Sequence, residues 1–345
     1  MSTKAGQLQY GKFKCTHSDL NHTIGRTPTR KQSQTLELQH TYRCFFAVGF
    51  RHDWEKQLRV VLKERVFPEH HLSYVDGEEP HSYSDQIGRA VRGLMESADF
   101  FVAEISDLNP NVCFEMGSGI ALGRWFKRLR NVEHRCDIDD DRIERVLHSL
   151  RYQEYSFATN TPGHNSGNSD VQSVNHAIAK VVAEFEVFHK RAEPFYNPFD
   201  QKVRLNVMRP QERGRPSVVL FAEAPAPFAS WIVDFKAEIR RELEHRPYDD
   251  PGTAYDGPEA LKYLEAIARS AKCVIDITKD SRFACFLLGY ATGRQRHVLA
   301  VRHKEKQPVI ASFRGEAAIF EYESRDDLWH EVKKFLQDAG VGRNA

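Results

Sequence analysis

The feature that most constrains this chain is that it contains itself twice. "SADFFVAEISD" (97–107) returns as "SAKCVIDITKD" (270–280), and each is followed by a polar turn and a small-residue segment, "CFEMGSGIALGR" (113–124) and "CFLLGYATGRQR" (285–296). Upstream, "CFFAVGF" and "DWEKQLRVVLKE" (44–64) match "SVVLFAEA" and "FASWIVDFKAEIRREL" (217–243). Downstream, "LRYQEYSF" (150–157) matches "FRGEAAIFEY" (313–322), and amphipathic segments follow both, "VNHAIAKVVAEFEVFHKR" (174–191) and "DLWHEVKKFLQDAG" (327–340). A repeat of this size is two copies of one structural unit, so a single fold must account for both halves.

Short apolar runs bounded by turn residues alternate with segments of helical period. That pattern indicates strands buried on both faces and joined by crossover helices. The expected fold class is therefore α/β, with two tandem Rossmann-like (flavodoxin-like) domains built on parallel sheets. A chain of 345 residues is long enough for two such cores. Residues 1–40 have no counterpart in the second half and form an N-terminal extension; 41–192 is the first domain, 193–214 a linker rich in proline and charge, and 215–345 the second domain. The Gly/Asn/Ser-rich "NTPGHNSGNSD" (160–170) reads as a mobile loop. The apolar faces of "GSGIALGRWF" (117–126) and "CFLLGYATG" (285–293) are expected to bury each other across a pseudo-twofold axis.

Forty-nine basic residues balance 48 acidic ones, a net charge of +1, so no global field draws the chain to nucleic acid or an anionic membrane. No apolar run reaches membrane-spanning length, and "MSTKAGQLQYGKFK" lacks the apolar core of a signal peptide, so a cytoplasmic location is expected. The six cysteines (15, 44, 113, 136, 273, 285) contain no CxxC pair and several lie in apolar runs, which argues against disulfides.

The chemistry concentrates in one stretch, "ADFFVAEISDLNPNVCFEMGSGIALGR" (98–124). In open parallel α/β sheets, ligands bind beyond the carboxyl ends of the strands. The strand "FFVAEI" delivers Asp107, Asn109 and Asn111 to that edge, Pro110 stops the strand, and Asn111 is the expected N-cap of the next helix. Glu115 then falls about one turn into the helix, where the macrodipole favours the carboxylate. Glycine inside a helix costs about 1 kcal/mol relative to alanine. Gly117 and Gly119 therefore need a compensating reason: close packing of the helix on the sheet, or close approach of a ligand.

This stretch resembles nucleoside 2-deoxyribosyltransferase-like proteins and the related TIR-like domains, in which an apolar strand runs into D-x-N-P-N-V-x-x-E-x-G and a small-residue helix. The resemblance covers Cys44 to Arg124 well and the rest more loosely. It implies a nucleoside, nucleotide or NAD ligand, with Glu115 as nucleophile at an anomeric carbon. It also implies that Gly49, Phe50, Arg51 and His52, after the first strand, line the pocket, and that Tyr83 and Asp85 belong to a second contributing loop. No cofactor is implied, NAD entering only as substrate. Paired domains of this kind in bacterial immune effectors make an antiviral defence role one expectation of the resemblance. A further copy of the chain or a partner protein is left open. In the second half, aligning Gly117 with Gly289 sets Leu287 opposite Glu115 and Asp280 opposite Asp107, and a leucine cannot be a nucleophile. The second domain is thus expected to be a degenerate copy with a structural, dimerising or sensing role. Two functions follow: an N-glycoside hydrolase or transferase, or a non-catalytic receptor for a nucleotide signal.

Other signals are weaker. "GSGIALG" lacks the dinucleotide-binding glycine spacing. Cys15, His17, His22, His40 and Cys44 do not make a compact zinc set, and no metal site is expected. The acidic "CDIDDDR" (136–142) suits a helix start, and Arg124, Lys127, Arg128 and Arg130 read as a solvated helix end.

Overall fold

A computed structural model describes residues 41–76, 87–134, 143, 152–158, 167–190, 218–221, 228–243, 259–278, 281–304 and 318–338. The N-terminal extension, Tyr83, Asp85, the acidic stretch 136–142 and the linker lie outside the described residues. Two parallel sheets organise the chain. In the first half, β1 (Tyr42–Ala47), β2 (Leu72–Val75), β3 (Phe100–Glu104), β4 (Trp125–Asn131) and β5 (Tyr152–Tyr155) run in the order β2-β1-β3-β4-β5. Helix α1 (Asp53–Val61, extended through Leu62–Glu69), α2 (Ile87–Ser97), α3 (Pro110–Ala121) and α4 (Gly167–Lys190) connect or flank them. In the second half, β6 (Val218–Phe221), β7 (Lys272–Asp276), β8 (His297–His303) and β9 (Ala318–Tyr322) form a sheet in the order β6-β7-β8-β9, with α5 (Phe228–Glu242), α6 (Glu259–Arg269), α7 (Arg282–Gly293) and α8 (Arg325–Gln337).

Both sheets are buried on both faces, which is why their strands read as continuous apolar runs. Along β1, Phe45 and Ala47 join one core while Cys44 and Phe46 join another. The second of these is closed by α1 and α4, through Trp54, Leu58, Ile178 and Phe185. The first is shared between the halves: it unites Phe101 and Ala103 of β3 with Cys273 and Ile275 of β7, and the small-residue helices α3 and α7 lie within it. A third core beneath α5 and α8 closes the far face of the second sheet. Helices thus cover each outer face, and one apolar layer holds the two sheets together.

The α3–α7 crossing answers the question that the glycines posed. A Cβ on Gly117 would lie 2.1 Å from the Phe286 carbonyl oxygen, and one on Gly289 would lie 2.0 Å from that of Phe114. Neither backbone could yield, so only glycine lets the helices meet. Gly119 instead packs on the sheet, where its Cβ would sit 2.8 Å from the Phe101 ring. The contacts are reciprocal, as expected of a pseudo-twofold axis. The Ser118 hydroxyl donates to the Gly289 carbonyl across it at 3.0 Å.

Asp280, aligned with Asp107 in the sequence, lies outside the described residues. Three expectations are corrected here. Residues 167–170 belong to α4 and not to a loop, because Asn, Ser and Asp suit the first turn of a helix. The basic cluster is not a helix end: Lys127, Arg128 and Arg130 lie in β4, Lys127 pairs with Glu184 at 2.6 Å, and Arg128 is buried. Asn109, not Asn111, caps α3, accepting from the Val112 amide at 3.0 Å. Pro110 occupies the first helical position, where a missing N–H costs nothing. The cysteines at 44, 113, 273 and 285 are buried and form no disulfide among the described residues. Among the described residues, no helix is long and apolar enough to cross a membrane.

Candidate active site

In the order β2-β1-β3-β4-β5 all strands are parallel, but the chain steps to one side of β1 for β2 and to the other for β3, so the loops leaving β1 and β3 meet at the switch point where such sheets bind ligands. The β1 loop brings Gly49, Phe50, Arg51 and His52. The β3 loop brings Asp107, Asn109 and Asn111. Gly49 is glycine because Glu55 and Asn109 crowd it: a Cβ would fall 1.9 Å from Glu55 Oε1 and 2.5 Å from Asn109 Nδ2. The His52 amide donates to Glu55 Oε2 at 2.8 Å, and its imidazole Nε2 lies 3.6 Å from Asp107 Oδ1. Phe50 carries the Arg59 guanidinium over its ring at 4.4 Å, and Arg59 is itself paired with Asp76 at the end of β2. Arg51 is exposed and takes part through its backbone, which helps to keep Glu55 ionised.

Glu115 lies in the second turn of α3, 5% exposed. Burial, reinforced by the negative charge of Asp76 and opposed by Arg59, pushes its carboxyl up to about 8. The dipole expectation therefore fails: the field of a helix N-terminus fades beyond the first turn, and desolvation decides the protonation state. Glu115 is mainly neutral at pH 7 in the free protein.

Two carboxylates were not singled out in the sequence. Glu55, in the first turn of α1, is 1% exposed, and its Oε1 has no hydrogen-bond partner among the described residues. Its carboxyl is raised by burial and by Asp107, against the pull of the His52 backbone. Glu104 ends β3, accepts from the Ser106 amide at 3.0 Å and from the Tyr155 hydroxyl at 3.3 Å, and is pushed by burial to about 7. The signal for Glu55 was an acidic residue on the buried face of an amphipathic helix; for Glu104, a charge interrupting an apolar run. Asn111 Oδ1 is another buried acceptor without a partner among the described residues. Aromatic rings flank the mouth: His52 stacks near Trp54 with centroids 6.3 Å apart, and Trp54 on His134 at 4.8 Å. Burial lowers the His134 pKa.

The β3–α3 loop is held in an uncommon conformation. Leu108, buried and branched, has φ 40°, in the left-handed region. Such a residue costs about 1–3 kcal/mol and persists only where its surroundings enforce it. Its carbonyl accepts from Cys113 Sγ at 3.5 Å and from Arg282 Nε of the second half at 3.0 Å.

The second half repeats part of this edge without the reactive group. Asp276 ends β7 and accepts from the Thr278 amide at 2.9 Å and from its hydroxyl; the Thr278 hydroxyl in turn accepts from the His303 amide, as that of Ser106 accepts from Asn131. Leu287, fully buried in the shared apolar core, stands where Glu115 stands.

No family model and no curated protein matches the chain. Among solved structures, it is similar to the C-terminal domain of glucosamine-fructose-6-phosphate aminotransferase from Francisella tularensis, with 9% identity and a TM-score of 0.21 over 86% of this chain and 81% of that one. A likeness at that level carries no argument about activity.

Proposed function

We propose that this chain cleaves or transfers an N-glycosidic bond of a nucleoside, nucleotide or NAD, with Glu115 as nucleophile. The observation that carries the reading is a buried carboxyl beyond the carboxyl edge of a parallel sheet, an edge at which Glu55 Oε1 and Asn111 Oδ1 are buried acceptors without partners among the described residues. Buried acceptors call for donors. Ribosyl hydroxyls supply them, and they orient the anomeric carbon toward Glu115.

In the reaction, a Glu115 carboxylate oxygen bonds to C1′ as the C1′–N bond breaks and its electron pair leaves with the base. Water or an acceptor hydroxyl then displaces the carboxylate and loses its proton. The raised pKa of Glu115 bears on substrate choice. A cationic centre beside the carboxyl favours its ionised form, so a ligand with a positively charged base, such as NAD, or with developing oxocarbenium character, generates its own nucleophile. The same raised pKa supports a second reading, in which a neutral Glu115 donates a hydrogen bond to a nucleotide signal and no bond breaks.

Incubating the intact protein with NAD and a panel of nucleosides, with chromatographic detection of free base, separates the two. Base release that disappears in Glu115→Gln supports catalysis. Binding of the same compounds by calorimetry, without base release, supports the receptor.

A further inference from the structure

The two halves meet in reciprocal backbone contacts, and beside the Ser118 hydrogen bond to Gly289 a second side-chain contact runs the other way, into the candidate site. Arg282 occupies the first position of α7, and from there its Nε donates to the Leu108 carbonyl, in the loop that joins β3 to α3. Its counterpart at the first position of α3 is Pro110, which has no donor to return. The second domain thus reaches into the β3–α3 loop of the candidate site, and Pro110 cannot return that contact.

The carbonyl that Arg282 holds belongs to the strained residue of that loop. Leu108 lies between Asp107, which faces His52, and Asn109, which caps α3 and crowds Gly49. Any rotation of its peptide would move both neighbours. An arginine donor from a different domain is well placed to fix it, because the guanidinium approaches along α7, an element the glycine crossing already holds rigid.

We infer that Arg282 is a positioning residue: the second domain acts in cis to hold the Asp107–Asn111 loop in the conformation the site requires. The inference rests on the site assignment above, since it gives that loop its purpose. It also gives the second domain a role that does not depend on a ligand of its own.

The test uses the full chain with Arg282→Met, which keeps length and removes the donor, and Arg282→Lys, which restores a donor. Ser118→Ala, which removes the other side-chain hydrogen bond across the same interface, is the control for a merely structural loss. Hydrogen exchange of the Leu108 to Cys113 amides is read beside chemical denaturation and base release. In Arg282→Met, exchange in this segment should speed by about tenfold or more, while the denaturation midpoint moves no further than in Ser118→Ala. Turnover, where base release is found, should fall by about tenfold to a hundredfold in kcat with a smaller change in KM. Arg282→Lys should recover most of both effects.

Equal loop exchange in Arg282→Met and Ser118→Ala would overturn the inference, as would a lysine variant no better than the methionine one. Failure of the methionine variant to fold would also overturn it, by making Arg282 a support of the interface as a whole. Absence of base release from the unaltered protein would count against the glycosidic reading alone, because the exchange measurement decides the role of Arg282 without it.

Discussion

Helices α3 and α7 are the same element used for two purposes. Both begin one turn after a sheet edge, both bring a glycine into contact with the other's backbone, and both are buried along nearly their whole length. They differ at two other matching positions. At Glu115 the first half puts a carboxyl, and at the matching Leu287 the second half puts an apolar side chain that is fully buried. At Pro110 the first half has no donor, and at Arg282 the second half supplies one across the interface. The glycine contacts are alike in the two helices because each helix is the other's partner there, whereas Glu115 and Leu287, and Pro110 and Arg282, differ in what they offer their surroundings.

The strongest way to break the comparison is to erase its main asymmetry. Leu287→Glu would bury a carboxyl in an apolar core with no partner, so it should destabilise the protein by about 3–5 kcal/mol without creating a second active site. Chemical denaturation and base release measure the two halves of that statement. A stable variant with added activity would show that the second crevice needed only its nucleophile.

Glu115→Gln should reduce base release by about a thousandfold or more, since the amide keeps the shape but cannot attack carbon. Binding of the same ligand should change far less. Measured turnover within tenfold of the unaltered protein would remove Glu115 from the mechanism.

Gly117→Ala tests the shared contact. Its Cβ would meet the Phe286 carbonyl, which is backbone and cannot swing away, so a loss of at least about 2 kcal/mol is expected in denaturation, and Gly289→Ala should match it. Unequal costs would mean that the pseudo-symmetry is weaker than the contacts indicate.

The smallest effect, taken per group and per pH unit, lies in the pH dependence. Glu115 titrates near 8 and Glu104 near 7 in the folded protein, both raised by burial from a usual value of 4.5. The folded state therefore binds more protons than the unfolded state between those values. Stability from these groups is full below about pH 4.5 and is lost as pH rises toward 8, at up to about 1.4 kcal/mol per group per unit. Denaturation from pH 5 to 8 should show this decline, and Glu115→Gln should flatten it by about one group's share. If the carboxylate is the attacking form, kcat/KM should instead rise over the upper part of this range, toward an apparent pKa near 8.

Much of this was legible in the chain itself. The repeat, the alternation of apolar runs with helical segments, and the substitution of leucine for glutamate are patterns of residue type along one dimension, and periodicity reads them directly. The chain also announced that Gly117 and Gly119 needed a reason. It did not say which reason, because the partner of Gly117 lies in the other half and a long-range backbone contact leaves no local signature. The cap of α3 was misplaced for a narrower cause: Asn109 and Asn111 are both good capping residues flanking Pro110, and only the Val112 amide chooses between them. Tyr83 and Asp85 lie outside the described residues.

What the sequence determined by itself is therefore the fold class, the duplication and the half of the molecule that carries the candidate nucleophile. Those depend on burial patterns that every local segment repeats. The tertiary structure decided which carboxyls are dry, and so that Glu115 is mainly neutral at pH 7 and that Glu55 and Glu104 are buried as well. It decided as well that Arg282 braces a loop distant in sequence. Desolvation and cross-domain hydrogen bonds arise only when separate segments exclude water together, and no single stretch of chain contains that information.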